Sequence, residues 1–127
     1  MVIVVIHWKI RPDEESVQAF REQWRTMEPP FTEHYSAEFL SEPLAPEQVG
    51  FACTTFNVSS DVRYRSFFNV AVWTDAETFR EDILGKVVAG RPKREDFEFD
   101  HRERMVLRPV MSRPGELPLP LGPGLDP

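Results

Sequence analysis

The chain is short of cysteine, of long apolar runs and of positive charge. Its 127 residues contain one cysteine, Cys53, which excludes an internal disulfide and a multi-cysteine zinc site and fits a reducing compartment. No apolar run approaches the roughly 20 residues of a membrane-spanning helix. The opening apolar segment 1–6 lacks a basic start and a small-residue cleavage site, so it predicts a strand and not a signal peptide. We expect a cytoplasmic protein with no membrane partner.

Acidic side chains outnumber basic ones by 21 to 15, which gives a formal net charge of −6. A nucleic-acid-binding protein neutralises phosphates with a basic surface, so this balance predicts no nucleic-acid partner. The three histidines, His7, His34 and His101, have no short metal-ligand spacing. We therefore predict no metal site.

The first half of the chain predicts two strands separated by a helix. Val2–Ile10 is almost wholly apolar and β-branched, which is typical of a strand covered on both faces. Asp13 can cap a helix that begins at about Glu14 and carries an apolar stripe, and Pro29 with the next proline ends it. Residues 35–40 predict the second strand. Residues 51–56, within the ambiguous stretch 41–61, could form an extra strand or an extended loop.

The second half predicts a strand, a helix, a last strand and a tail. Residues 63–73 are rich in aromatic and β-branched side chains, and a capping box at 74–77 then begins the second helix. Gly85 is expected to break or cap that helix. The last strand is expected at 101–110. The helix is predicted to turn four side chains inward: Ala76, Phe79, Ile83 and Val87.

The predicted order β-α-β-β-α-β is the ferredoxin-like pattern of an α+β domain, an antiparallel sheet with helices on one face. We expect the domain to span 1–111, followed by a tail rich in proline and glycine at 112–127. Both faces of the third strand are largely apolar, and two short helices can cover only one of them. We therefore expect a homodimer that packs sheet against sheet, with the tail lying over the partner.

The segments FFNVAVW (67–73) and TDAETFR (74–80) resemble the signature of the antibiotic biosynthesis monooxygenase-like family. The resemblance extends over about residues 1–110, although only 69–80 is specific. It implies a dimeric α+β barrel in which two ferredoxin-like sheets face each other. It also implies oxidation of phenols and anthrones to quinones by O₂, without metal, flavin, haem or any other cofactor.

The family's Asn-x-x-x-Trp pair falls on Asn69 and Trp73, which the resemblance makes the catalytic residues. The asparagine amide can hold a phenolate, while the tryptophan offers an N–H donor and a stacking surface. The quinone-forming members carry a tyrosine where this chain has Phe79, so a proton-donating hydroxyl is missing. They also use a basic residue after the second helix, for which Arg94 is a candidate beside Arg91 and Lys93.

The predicted substrate-binding residues are His7, Phe67, Phe79 and Arg94. A haem-degrading branch of the superfamily uses an asparagine in the first strand and a histidine late in the second helix. This chain has neither at those places, which speaks against haem degradation.

Each site residue also has a structural explanation. Asn69 in an apolar strand is either a pocket group for a small aromatic ligand or a side chain satisfied by the protein itself. Trp73 beneath a helix start needs no ligand to explain it. A histidine on a strand such as His7 is either a general base or a satisfied or interfacial residue. The competing hypothesis is a ligand-binding or structural dimer without catalysis, which Phe79 favours.

Overall fold

A computed structural model of the chain describes residues 1–26, 35–50, 63–87 and 94–117. Within these ranges the strands are β1 (Val2–Ile10), β2 (Tyr35–Ser41), β3 (Arg65–Trp73) and β4 (Glu103–Leu107). The helices are α1 (Glu14–Thr26), the short α2 (Pro46–Val49) and α3 (Ala76–Val87). In the described part of the chain, no helix is long and apolar enough to cross a membrane.

The four strands form one antiparallel sheet in the order β2-β3-β1-β4. With α1 after β1 and α3 after β3, this confirms the predicted ferredoxin-like α+β fold. The helix α2 lies in the stretch for which the sequence left the structure open. The segment 51–56 in the same stretch lies outside the described residues.

The last strand is shorter than the predicted 101–110, because its partner strand is occupied or ends at both limits. At one limit, the first residue of β4, Glu103, pairs with His7. The residues of β1 after His7 are instead hydrogen-bonded to the turn that precedes β4. There Phe99 N donates to Lys9 O at 2.8 Å and Arg11 N donates to Phe97 O at 2.9 Å. At the other limit, the last pair is Leu107 with Ile3, the second residue of β1.

Both long helices begin at an aspartate that accepts hydrogen bonds from the first turn. Asp13 accepts from Ser16 N at 2.9 Å, and Asp75 accepts from Thr78 N at 2.7 Å. These bonds, first of all those from the backbone, lower the pKa of both aspartates because they stabilise the ionised carboxylate. The N-cap of α3 is therefore Asp75, one residue after the start of the predicted capping box at 74–77.

The course of α3 corrects two other predictions. The helix continues through Gly85 to Val87, so this glycine neither breaks nor caps it. Ala76 is exposed, because α3 packs on the sheet through Phe79, which is 9% exposed. The side chains of Ile83 and Val87, also predicted to point inward, lie outside the described residues.

The core lies between the sheet and its helices, on what we call the covered face. One cluster of buried side chains packs under α1, and Phe20 at its centre is 1% exposed. A smaller cluster packs around Phe79 of α3. The first cluster consists of Trp8, Ile10, Val17, Phe20, Phe67 and Phe97, and the second of Val2, Val4 and Phe79.

The opposite surface of the sheet, the open face, carries the alternate side chains of each strand. Register and alternation place there Ile3, Val5, His7, Lys9, Ser66, Phe68, Val70, Val72, Met105 and Leu107. No described helix packs against these residues, and Met105 is 59% exposed. Met111, at the end of the predicted domain, is 91% exposed and Leu117 of the tail is 89% exposed, so neither contributes to the core.

Candidate functional site

Asn69 forms the centre of a polar cluster on the covered face. It is 3% exposed, and its Oδ1 accepts a hydrogen bond from Trp24 Nε1 at 2.9 Å. Its Nδ2 donates to Glu38 Oε1 at 3.0 Å. The cluster of Trp24, Asn69 and Glu38, here the Asn69 cluster, thus joins α1, β3 and β2. The protein itself satisfies part of the amide's hydrogen-bonding capacity, as a buried amide requires.

The Asn69 cluster lies at the boundary between the two apolar clusters. Phe67, two residues before Asn69, belongs to the cluster under α1, whereas Trp73 packs against the cluster around Phe79. Ile6 lies directly opposite Asn69 on β1 and packs against both clusters. A half-buried carboxylate, that of Glu38, therefore meets apolar surface on both sides, an arrangement suited to a small ligand that is mainly apolar with one polar group.

The predicted catalytic pair lies on this face, as expected from its spacing. At a rise of about 3.3 Å per residue, Asn69 and Trp73 are about 13 Å apart, with the small Ala71 between them. Trp73 is half-buried and meets the Phe79 ring edge to face at a centroid distance of 5.3 Å. A single ligand would have to span this backbone separation to reach both predicted catalytic residues.

Phe67 lies on the same face but deep in the core. It is 2% exposed, and its ring centroid is 5.1 Å from that of Phe20. The guanidinium carbons of Arg21 and Arg65 lie 5.6 and 5.1 Å from its ring centroid. These neighbours enclose Phe67 and leave it no open surface toward a ligand in this conformation.

The structure places His7 on the open face, on the other side of the sheet from Asn69. The alternation of β1 turns Ile6 and Trp8 toward the helices and His7 away from them. Its Nε2 is 2.9 Å from Ser66 Oγ. Burial, followed by the positive charge of Lys9, lowers the pKa of His7, and the nearby carboxylate of Glu103 opposes the shift.

Arg94 is exposed in the turn that precedes β4. Its Nη1 donates to Phe99 O at 3.1 Å, within the same turn. The structure therefore does not bring it to the Asn69 cluster. The alternatives Arg91 and Lys93 lie outside the described residues, as does His34, while His101 is exposed just before β4.

Sequence reasoning missed Glu38 and assigned Trp24 only to the apolar stripe of α1. One signal was present, because Glu38 and Leu40 share a face of β2 and Leu40 packs in the core. An acidic residue in such an inward position requires a partner. The sequence did not indicate that this partner is Asn69, because Asn69 is 31 positions away from Glu38.

The described surface also has a hollow that lies apart from the Asn69 cluster. A hollow of about 400 Å³ lies at the start of α3 and is lined by Ala76, Glu77 and Arg80, none of which belongs to the Asn69 cluster. Among the described residues, no group of three or more histidine, cysteine, aspartate or glutamate side chains is arranged to hold a metal ion.

No family model matches the sequence, and no curated protein matches it. A solved structure does match the fold: an arginine-to-serine mutant of MhuD, crystallised with two manganese protoporphyrin IX molecules bound per active site. The match covers 89% of this chain and 99% of that one, with a TM-score of 0.50 and 14% identity. The chain is similar in fold to MhuD. At this identity the likeness to MhuD supports the α+β fold that the family resemblance implied, and it assigns no ligand.

Proposed function

We propose that this protein is a cofactor-independent monooxygenase of the antibiotic biosynthesis type, which oxidises a small phenolic metabolite with O₂ at the covered face. The observation that supports this most is the Asn69 cluster, in which a buried amide holds a half-buried carboxylate between two apolar clusters. An aromatic ring fits the apolar surface beside Trp73 and Phe79. Its hydroxyl would meet the Asn69 cluster, where the Glu38 carboxylate can accept a hydrogen bond.

In this proposal Glu38 acts as the proton acceptor. The Asn69 N–H donates to Glu38 Oε1 and so fixes the carboxylate in position. Loss of a proton makes the substrate electron-rich enough to reduce O₂ itself, so no external reductant is needed. For an anthrone, a CH₂ group becomes a carbonyl with one oxygen atom of O₂, and the other leaves as water. Since Phe79 has no hydroxyl, the proton needed to form that water returns from Glu38.

We also propose that the working form is a homodimer joined through the open face. The apolar side chains Ile3, Val5, Val70, Val72, Met105 and Leu107 form a continuous surface there. Monomeric proteins rarely expose apolar patches above a few hundred Å², which makes a second copy the natural cover. The exposed Met111 and, in the tail, the exposed Leu117 would extend the same contact.

The test is O₂ uptake by metal-free protein with a panel of phenols and anthrones. We expect uptake with at least one substrate, a loss of about 100-fold or more in Glu38→Gln as a removed general base predicts, and unchanged uptake in Glu47→Gln. Glu47 is an exposed acid in α2 and therefore a matched control. No uptake above buffer across the panel would contradict the proposal, as would a Glu38→Gln variant that turns over normally.

The second candidate is a ligand-binding dimer without catalysis. Two observations favour it: Phe79 stands where the quinone-forming members carry tyrosine, and the Asn69 amide is already bonded to Trp24 and Glu38. Quenching of tryptophan fluorescence by the same phenols, without O₂ uptake, would identify this function. Binding accompanied by O₂ uptake would exclude it.

A further inference from the structure

The open face has an apolar end and a polar end. Its polar end is formed by His7 and Lys9 of β1, Ser66 of β3 and Glu103 of β4. His7 and Ser66 are half-buried, and neither belongs to the Asn69 cluster. The function proposed above uses neither of them chemically, so this hydroxyl–imidazole pair remains to be explained.

The distance between Ser66 and His7 is that of a nucleophile and its base. Ser66 Oγ lies 2.9 Å from His7 Nε2, inside the 2.6–3.2 Å range over which a base takes a proton. When Nδ1 of the imidazole carries the proton, Nε2 accepts the serine hydrogen. His7 is held in place because its ring stacks on Phe68, at a centroid distance of 4.6 Å and an interplanar angle of 12°.

Two charged side chains flank this pair. Lys9 lies directly opposite Ser66 on the adjacent strand, and Glu103 lies directly opposite His7 on the other side. Residues directly opposite each other in a sheet have Cβ atoms about 4.5–5.5 Å apart. Lys9 Nζ also donates to Glu103 Oε1 at 2.5 Å, which ties the two flanking charges together. The ion pair formed by Lys9 and Glu103 thus acts on His7, whose pKa is influenced by both charges.

The protonation states suit general-base chemistry at neutral pH. Burial and the charge of Lys9 lower the pKa of His7, so its imidazole is mainly neutral at pH 7 and able to accept a proton. The hydrogen bond with Glu103 raises the pKa of Lys9, so its ammonium stays charged.

From this geometry we propose that Ser66 and His7 form a nucleophile and general-base pair that accepts acyl groups from small aromatic esters. Ser66 Oγ bonds to the ester's carbonyl carbon while His7 Nε2 takes the hydroxyl proton. The bond from that carbon to the leaving oxygen breaks, and the alcohol departs with the proton. Water then cleaves the acyl-serine, again through His7, so that ester and water yield acid and alcohol.

The surroundings supply the remaining functions. In this proposal the Lys9 ammonium, whose charge already acts on His7, stabilises the carbonyl oxygen as it becomes negative in the transition state. The rings of Tyr64, Phe68 and Phe99 border the pair, which favours an aromatic group on the ester. This site is on the opposite face from Asn69, at the polar end of the open face and beyond the apolar side chains of the proposed dimer contact.

The test uses the whole chain and two probes: a fluorophosphonate, which labels activated serines, and p-nitrophenyl acetate. After labelling, peptide mass spectrometry should find the adduct on Ser66 at a rate about 100-fold or more above that of Ser112, the scale of general-base catalysis. Ser112 is the internal control because it is exposed in the tail. The ester should release p-nitrophenol, and Ser66→Ala should abolish both signals.

The pH profile separates chemistry from mere packing. Labelling of Ser66 should rise with pH and level off at a midpoint below 6.5, the ordinary value for histidine. In Lys9→Gln the midpoint should move upward, because the charge that lowers the pKa of His7 is gone, and the plateau rate should fall. His7→Gln should reduce labelling to the level of Ser112, with circular dichroism as the check on folding.

Labelling of Ser66 no faster than that of Ser112 would overturn the proposal. So would rapid labelling of a folded His7→Gln variant. If His7→Gln does not fold, the Lys9→Gln profile decides, and an unshifted midpoint rejects the pair. None of these outcomes depends on O₂ uptake. They therefore test the Ser66–His7 site independently of the proposed monooxygenase activity.

Discussion

The two faces of the sheet are built from similar residues yet have different surroundings. On the covered face, Val4 and Ile10 of β1 are 1% and 0% exposed, whereas Ile3 and Val5 on the open face of the same strand are only half-buried. The difference comes from the helices, which pack on one side alone. The apolar residues on both sides of β1 thus indicate that both faces of the sheet must be covered. The described helices of a single chain cover only one of them.

Polar groups follow the same division. The covered face admits a neutral amide, that of Asn69, and bonds it to Trp24 and Glu38. The open face carries the titratable His7, which keeps contact with solvent at the polar end. Burial of a charge costs far more free energy than burial of a bonded amide, and Glu98, the one buried carboxylate among the described residues, is paired with Arg102.

The largest contrast between the faces should appear on truncating one ring from each. Phe20→Ala removes a ring that lies 5.0 Å from that of Trp8 at the centre of the covered core, so we expect a loss of about 3–5 kcal/mol in the free energy of unfolding. Phe68→Ala on the open face should cost clearly less. Urea denaturation of both variants at low concentration measures the difference. Equal losses would mean that the open face is as well covered as the other.

A smaller loss is expected for the polar centre of the covered face. Asn69→Ala leaves the Trp24 N–H and the Glu38 carboxylate without their partner, which should cost about 1–3 kcal/mol. Trp24→Phe, alone and combined with Asn69→Ala, completes a double-mutant cycle that isolates the bond between the two side chains. If Asn69→Ala keeps full stability and only weakens ligand binding, the amide is a pocket group and not part of the packing.

The proposed dimerisation through the open face can be tested by measuring the molecular mass of the protein in solution. Met105→Glu introduces a charge at its apolar end, which should dissociate a dimer joined there while leaving each subunit folded. Leu44→Glu, at a 42% exposed position outside the sheet, is the control. Light scattering should give about twice the 14.8 kDa chain mass for the control and the single mass for Met105→Glu. A wild-type protein of single mass would show the dimer proposal to be wrong.

The smallest effect should be the pH dependence that His7 gives to stability. Since its pKa is lowered in the folded state, the unfolded chain binds the proton more readily, and stability falls as the pH drops below about 6.5. The acid loss should be weaker in His7→Gln than in His101→Gln, the control for removal of a histidine. Urea midpoints between pH 7.5 and 5 measure this. A steeper loss in His7→Gln would contradict the direction of the shift.

Much of the fold was predictable because its signals are local. The bounds of β1 and the start of α1 follow from neighbouring residues, namely an apolar β-branched run and the Asp13 cap. The order of the elements then restricts the sheet to the ferredoxin-like arrangement. The prediction failed where distant parts of the chain interact. The turn that contains Phe97 lies among charged residues in the sequence, yet it docks on β1 and buries that ring to 7% exposure.

For the candidate site, the sequence by itself determined which side chains share a face, and only the tertiary structure decided what each face meets. Because side chains alternate along a strand, the sequence predicts that Asn69 and Trp73 share a face. The alternation does not predict the hydrogen-bond partners of Asn69. Trp24 and Glu38 reach it from 45 and 31 positions away, through the packing of α1 and the pairing of β2. The period likewise separates His7 from Ile6 without saying which of them points toward the helices. The alternation of side chains depends on one strand alone. Which face of the sheet is covered depends on where α1 and α3 pack their buried side chains.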